Sequence, residues 1–478
     1  MDDDPVRSTD RLIDVGASSG LVWFRRDLRL DDNPAWAAAT AEHDRVTALF
    51  VVDPALLTRA SSQRVARLLG DVSALDASLA EHGGRLLLRV GDPRAIVPVE
   101  VARLGVAAVH VNRDVTPYAT ARDDAVRSAV ESTGVDWVPE WGSLVHEPGR
   151  VLTKAGSLSQ VFTPFFRVWE RTPWSPWPTP GDALITDDPG DPLPEGGGNY
   201  PVLDGETGDA GLAGERGALA RLDLAAGRAD GYEDERNTPS VTGTSQLSID
   251  LRFGTLSPRR VAMVVGEATP GRAALVRQLA WRDWYAHLLA GEPSLVDQPM
   301  KAQYASIEWR VDDVAFDAWK QGRTGYPFVD AGMRQLRATG WMHNRVRMVA
   351  ASFLVKNLLI DWRRGERFFR HVLLDADVAQ NVGNWQWVAG TGPDASPYNR
   401  VFNPVLQGQR FDAEGDYIRR WVPELAGLDT KAIHEPWMAG PLELAAAGVE
   451  LGVDYPEPIV DLAASRARVL DAYGAVRG

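Results

Sequence analysis

The chain has no cysteine among its 478 residues. That excludes disulfides, thiolate-held iron–sulfur clusters and cysteine nucleophiles, and it suits a reducing cytosol. No apolar run is long enough to cross a bilayer. The start, Met1-Asp-Asp-Asp-Pro5, lacks the basic residues and apolar core of a signal peptide. A soluble, cytoplasmic protein is therefore expected. No G-x-G-x-x-G follows the first apolar strand; Arg25-Arg-Asp-Leu-Arg29 stands there instead, so no nicotinamide site is assigned. A Walker loop and an H-E-x-x-H motif are missing too, and no metal ligands are assigned. The formal charge of −14 argues against binding nucleic acid over the whole surface.

What is present is globular in composition, with 45% hydrophobic and 24% charged residues. The length favours two or three domains. Residues 1–19 are polar and aperiodic and read as a tail. From Leu21 the pattern alternates. Strands are expected at Leu21–Phe24, Arg45–Val52, Arg85–Val90, Val106–Val111 and Val135–Val138. Helices are expected after Asn33-Pro34 and over 61–82, 94–104 and 118–133. This alternation implies a doubly wound parallel sheet, whose ligands bind at the carboxyl ends of the strands. The arginines Arg25, Arg26 and Arg29 could cradle an anionic ligand or pair with Asp27, Asp31 and Asp32, and spacing alone favours the pairing. Pro and Gly crowd 178–217, which marks an interdomain connection. The aromatic run Val161–Trp169 ahead of it is expected to dock against a domain. The division is an α/β unit over 20–150, a connection over 151–230 and a helical unit over 231–478. In the last, Met348, Ala351, Val355, Leu358 and Trp362 repeat at three- and four-residue steps and predict one face of a long helix.

Two stretches are not explained by packing. Asp375–Trp387 gathers two carboxylates, several amides and two indoles, and Gly340–Met348 adds a histidine, an amide and two arginines. Together they suggest a pocket for a planar, polar-edged molecule. Nine Lys or Arg face two acids between Arg334 and Arg370, and eight of the seventeen tryptophans fall between Trp281 and Trp387. A basic, indole-rich face in an acidic protein suits a polyanion with stacking bases. A solvated helix face and core indoles account for the same counts. His343 and Asn344 could likewise be satisfied core polar groups. Gly243–Ser248 is a hydroxyl-rich loop before a helix start, where a phosphate can be held, as many helix caps also look.

Taken jointly, several segments resemble the cryptochrome/photolyase family, most closely class I cyclobutane pyrimidine dimer photolyases. They are Trp23–Leu30, Gly243–Ser248, Trp281-Arg-Asp-Trp-Tyr285, Gly325–Asp330, Trp341-Met-His-Asn-Arg345, Asp361-Trp-Arg363 and Asn384-Trp-Gln-Trp387. The resemblance runs from Leu21 to near the C-terminus. It implies an N-terminal antenna domain and a helical domain enclosing FAD. Tyr232, Thr244, Ser245, Gln246, Leu247 and Ser248 would line the flavin and its diphosphate, with Arg282 and Asn344 also in contact. Arg347 and Asp375 would pair over the flavin, Asp377 would bind nearby, and Asn381 would face N5. An amide there suits a reduced anion because it brings no negative charge. Trp385, Trp362 and Trp309 match the family's electron-transfer chain, although core packing accounts for indoles equally well.

On the substrate side the resemblance implies UV-damaged DNA, whose dimer leaves the stack to be reached. Trp281 and Trp387 would wedge it, Asn344 and Met348 would form its pocket, and Arg236, Arg282, Tyr285, Arg345 and Gln407 would contact the DNA. Gln278 stands where the family usually has a glutamate against the thymine edges. Its amide donates and accepts but cannot share a proton. Light-dependent splitting of cyclobutane dimers by a monomer is the expected function. The alternatives are (6-4) photoproduct repair, which Gln278 favours, and a cryptochrome-type light receptor. Asn112–Tyr118 resembles the deazaflavin-binding subgroup, with Arg26, Arg64 and Asp114 as contacts, so 8-HDF is expected as antenna rather than methenyltetrahydrofolate.

Overall fold

Five strands, β1 (Ser19–Phe24), β2 (Arg45–Val52), β3 (Leu86–Val90), β4 (Ala108–Asn112) and β5 (Asp136–Glu140), pair in parallel in the order β3-β2-β1-β4-β5. The register places Val22 of β1 beside Ala48 of β2 and His110 of β4. Parallel strands need crossovers. These are α1 (Pro34–Glu42), α2 (Ser62–Glu81), α3 (Pro93–Leu104) and α4 (Pro117–Glu131). α1 starts where expected, with the Asn33 side chain accepting from the Trp36 N–H at 3.2 Å and proline at the first turn. Alternate residues of β1 and β2 feed two separate cores. Val22, Phe24, Ala48 and Phe50 pack under α1 and α2, whereas Leu21, Trp23, Leu49 and Val51 pack under α3 and α4.

The computed structural model describes residues 18–195, 211–394, 397 and 399–476. The expected tail therefore lies outside the described residues except at its end, as does part of the Pro/Gly-rich connection. Within that connection a short strand, β6 (Leu184–Ile185), adds to β2 in parallel. The aromatic run forms α5 (Phe162–Trp169), whose Phe162, Phe165 and Trp169 are buried in the large helical core, as its composition led us to expect. That core also takes α6 (Gly214–Arg228), α8 (Pro270–Gly291), α9 (Pro327–Thr339), α10 (Asn344–Ser352), α11 (Trp362–Val372) and α12 (Val378–Ala389), while α7 (Ser248–Phe253) and α13 (Pro404–Phe411) lie at its margins.

The expected long helix through Met348 and Trp362 is interrupted. α10 passes into a π-helical turn at Phe353–Asn357, Leu359 takes a positive φ of 55°, and α11 starts afresh at Trp362, capped by Asp361. Lys356 is fully buried there and donates to the Ala389 carbonyl at 2.8 Å. Single-residue widenings of this kind let a helix redirect a polar side chain.

Buried polar ties join the sheet domain to the helical one. Asp250 of α7 accepts from Arg67 of α2 at 2.7 Å and from Arg221 of α6 at 2.6 Å. Arg29 donates to the carbonyls of Gly142, Gly254 and Asp32. A Cβ at Gly254 would lie 2.1 Å from the Arg26 carbonyl, so the close approach of the two chains requires glycine. The local pairing expected for the Arg25–Arg29 turn is therefore corrected. Arg25 pairs with Asp123, and Arg26 with Asp114 and Asp377. Sequence-near acids lose because the strand end aims Arg25 and Arg26 at acids that follow β4 and, for Arg26, at Asp377 across the domain junction.

Candidate active site

α10, α11, α12 and the Asp375–Asp377 turn converge on a cavity of about 90 Å³. Its walls include Asn344, Arg347, Met348, Asp375, Asp377, Asn381 and Trp385. α12 begins at Val378 because the Asp377 carboxylate accepts from the Gln380 N–H at 3.2 Å. Helical spacing then sets Asn381, Asn384 and Trp385 toward one side. α10 is capped by His343, whose Nδ1 accepts from the Arg345 N–H at 3.1 Å. Burial, then Arg347 and Arg345, lower its pKa to about 4, so the capping imidazole is neutral. His343 is thus a structural cap, and Asn344, one residue on, is exposed, with its Nδ2 3.9 Å from the Met348 sulfur.

Arg347 and Asp375 form a two-pronged pair at 3.0 and 2.8 Å. Asn381 donates from Nδ2 to the Glu366 carbonyl and to Glu366 Oε1, both at 2.9 Å. With both amide hydrogens engaged, what Asn381 can offer the cavity is its carbonyl oxygen. Glu366 was missed by sequence reasoning. It is 1% exposed, burial raises its pKa, and it also accepts from Arg370 at 2.9 Å. Its only sequence signal is an acid four residues before an arginine on α11.

Asp377 lines the cavity, yet one oxygen caps α12 and the other pairs with Arg26. Its carboxyl is held well below the usual range by Arg26, Arg282 and Arg252, which together overcome burial. Tyr232 and Thr244–Ser248 lie outside this cavity's lining. In that turn Gln246 has a φ of 56°, and no side chain caps α7. Its leading N–H groups are therefore not taken by a side-chain acceptor.

Trp281 of α8 stacks on Phe162 of α5 at 3.5 Å and 10°. Phe162 was read only as a docking residue, so this partner is new. Two expected DNA contacts have partners within the protein. Tyr285 is 4% exposed, packed behind Trp281 at 5.9 Å, with its hydroxyl 3.5 Å from the Asn384 amide oxygen. Arg282 donates to the carbonyls of Ser143 and Leu251 and braces the domain junction, where burial lowers its pKa. Tyr285, one turn on, shares the Trp281 face but is covered by its neighbours, whereas Arg282, the next residue, is rotated toward the junction. Gln278 is half-buried and uses an amide hydrogen on the Ala274 carbonyl at 2.8 Å. Trp387 is half-buried, as is Gln407 on α13.

Beside Asn344, Arg345 donates to Asn237 at 2.6 Å and lies 4.4 Å over the Phe411 ring. Its pKa is lowered by burial and then by Arg236, Arg410 and Arg400, which mark a local cationic cluster. Of the three expected electron-transfer indoles, Trp385 and Trp362 are buried and Trp309 is half-buried. Trp385 touches Phe369 edge-on at 5.1 Å, and Trp309 touches Tyr473 at 6.2 Å.

A second cavity, of about 620 Å³, opens at the carboxyl ends of β1, β2 and β4. Arg26, Arg64 and Asp114 all line it, with Trp23, Phe50 and Tyr118. It sits at the sheet's switch point between β1 and β4, where doubly wound folds bind ligands.

Residues 20–181 match the family model described as DNA photolyase, and residues 275–475 the one described as the FAD binding domain of DNA photolyase. A deoxyribodipyrimidine photo-lyase of Agrobacterium fabrum is 41% identical over 473 residues, covering 96% of this chain and 98% of its own. A bacterial class III photolyase from Agrobacterium tumefaciens has a crystal structure similar to this fold, with a TM-score of 0.89 at 39% identity, over 98% of this chain and 100% of that one. The archaeal photolyase of Sulfolobus tokodaii, solved with two FAD molecules, gives a TM-score of 0.81 at 32% identity over 96% and 100%. With matches that span both of its domains, this chain belongs to the cryptochrome/photolyase family.

Proposed function

We propose that this protein repairs cyclobutane pyrimidine dimers in DNA by a light-dependent reaction that uses bound FAD. The observation that carries the reading is the convergence of Asn344, Arg347, Met348, Asp375, Asn381 and Trp385 on one cavity beside a cationic cluster.

The donor set fits a reduced flavin. N5 then carries a hydrogen, and Asn381 has a carbonyl oxygen to accept it and no charge to oppose an anion. The cavity alone is smaller than ordinary ligand sites of roughly 300–1,000 Å³. FAD therefore has to extend beyond it, and Tyr232 with Thr244–Ser248 would hold the diphosphate end. The chemistry FAD supplies when bound is donation of one electron to the dimer under light, and its recovery once the cyclobutane bonds have parted. The chain's residues do the rest. Arg347 and Asp375 neutralise one another over the site, and buried Trp385 with Phe369 excludes water from its inner wall. Trp385, Trp362 and Trp309 pass from buried to half-exposed, as a relay from solvent to the cavity requires.

For the DNA, Arg236, Arg345 and Gln407 would serve as phosphate and sugar contacts, and Trp281 and Trp387 as stacking surfaces for the extruded pair. Phe162 backs Trp281 and holds its plane. The assignment takes 20–150 as the antenna domain, 151–230 as the connection and 231–478 as the FAD- and DNA-binding domain. In the larger cavity, Arg26, Arg64 and Asp114 would hold an 8-HDF antenna, a reading the absorption spectrum of the extracted chromophore tests.

Gln278 favours a second reading, repair of the (6-4) photoproduct. The deciding experiment compares oligonucleotides bearing either lesion, in the dark and under blue light, with the flavin reduced. Light-only restoration of the cyclobutane substrate is expected. Restoration of only the (6-4) substrate would make Gln278 the determinant of specificity, and restoration of neither would overturn the enzyme reading.

A further inference from the structure

On the α1 face of the sheet lies a side-chain cluster that the repair chemistry does not use. Glu42 ends α1, His43 caps it, and His110 is the central residue of β4. The Nε2 atoms of His43 and His110 are 3.0 Å apart, Glu42 Oε2 is 3.9 Å from His110 Nε2, and the three ligand atoms all lie within 4.8 Å of one another. We propose that Glu42, His43 and His110 form a binding site for a divalent transition-metal ion of the zinc class.

The spacing suits such an ion. Metal–ligand bonds of roughly 2.0–2.1 Å in tetrahedral array set ligand atoms about 3.3–3.4 Å apart. The two distances straddle that value and the third pair lies within 4.8 Å, so a movement of the exposed Glu42 side chain toward the two imidazoles would close the site. Two imidazoles and one carboxylate, with no thiolate anywhere in the chain, form a set that zinc and its first-row neighbours accept.

The surroundings orient the ligands. Ser18 Oγ lies 2.6 Å from His43 Nδ1, so a hydrogen on Nδ1 bonded to Ser18 leaves the Nε2 lone pair facing the site. The His43 ring lies so close to β1 that a Cβ at Gly20 would meet its Cδ2 at 2.4 Å. Only glycine admits the ring in that position. His110 is 0% exposed, and its Nδ1 has no hydrogen-bond partner.

From the other elements around the cluster, Glu140 of β5 adds a carboxyl that faces Glu42, with Arg113 beside it. Asp44 is engaged by the Ser18 N–H. A cation would relieve the repulsion between Glu42 and Glu140. The Glu42 side chain is 55% exposed, which gives an ion a way in from solvent and leaves a fourth coordination position for water. None of these residues lines the 620 Å³ cavity or the 90 Å³ one. A plain hydrogen bond between the two imidazoles gives the same 3.0 Å contact but asks nothing of Glu42. That difference makes the site testable.

The test uses tag-free, chelator-treated, full-length holoprotein. Zn²⁺ is titrated in against a chromophoric chelator, and Co²⁺ uptake is followed by visible absorption. One equivalent of Zn²⁺ is expected, with a higher thermal midpoint because the ion binds only the folded chain, and Co²⁺ should give the absorption of a low-coordinate N/O site. His43→Gln should abolish this uptake and Glu42→Gln should weaken it by at least about tenfold. Light-dependent repair should persist in both variants, so a failure here is distinguishable from a failure of the repair assignment. His110→Gln is avoided because the buried residue also packs the sheet. Absence of uptake by the unsubstituted protein, or uptake that survives both substitutions, would overturn the proposal.

Discussion

Asn381 matters through the hydrogens it has already committed. Both go to Glu366, so the side chain is locked with its oxygen available, and Glu366 in turn depends on the amide for a donor. Asn381→Asp would set two carboxylates against each other at hydrogen-bonding distance in a buried place. We expect a loss of about 1–3 kcal/mol at pH 8. The loss should shrink toward pH 5, where one acid takes up a proton and the hydrogen bond returns. Thermal midpoints at the two pH values check this, and a pH-independent loss would contradict it. Asn381 itself was legible in the sequence, because it lies in the motif-bearing stretch Asp375–Trp387 that resembles the family's flavin site. Glu366 was not, since a lone acid on a basic helix resembles any solvated charge until burial is known.

At the scale of elements, the interruption after α10 has its own consequence. Burial lowers the Lys356 pKa from 10.5 to about 7. Between those values the unfolded chain binds more protons than the folded one, so stability rises with pH across that window. Below about pH 7 the penalty for the buried charge is fully present. Lys356→Met should therefore flatten the rise and stabilise the protein at pH 6. The Ala389 carbonyl would still accept from the Tyr473 hydroxyl at 2.7 Å. Urea midpoints at pH 6 and pH 9 for both proteins give the comparison. Apolar periodicity predicted the helical face here but not its interruption, because Lys356 shows no sequence sign of pointing inward.

For the whole molecule, Arg26 ties one domain to the other. It leaves the sheet after β1, lines the larger cavity, and pairs with Asp114 of its own domain and Asp377 of the other. Arg26→Ala would strip both acids of their shared cation. The expected cost lies at the lower end of about 3–5 kcal/mol, because Arg252 and Arg282 still face Asp377. Differential scanning calorimetry should show that drop, and an unchanged transition would refute the interdomain role. The molecule is acidic overall but cationic beside Asn344, so DNA affinity should fall with salt. Arg345→Ala should lower the slope of log K against log salt by about 1. A weaker affinity with an unchanged slope would instead mean that Arg345 acts through its packing on Phe411.

The sequence by itself determined the elements of the sheet domain and the family, because strand and helix periods, caps and contiguous motifs are local and survive without coordinates. It also located the residues that gather at the small cavity. Only the tertiary structure decided which way the other candidates turn. Tyr285 and Arg282 share a helix with Trp281 yet face the core and the domain junction. Phe162 meets Trp281 across a gap of more than a hundred residues, and Glu42 and His43 meet His110 across two intervening strands of sequence. Periodicity fixes a residue's phase within its own element. What occupies the far side of that element depends on chain crossings that no local pattern encodes.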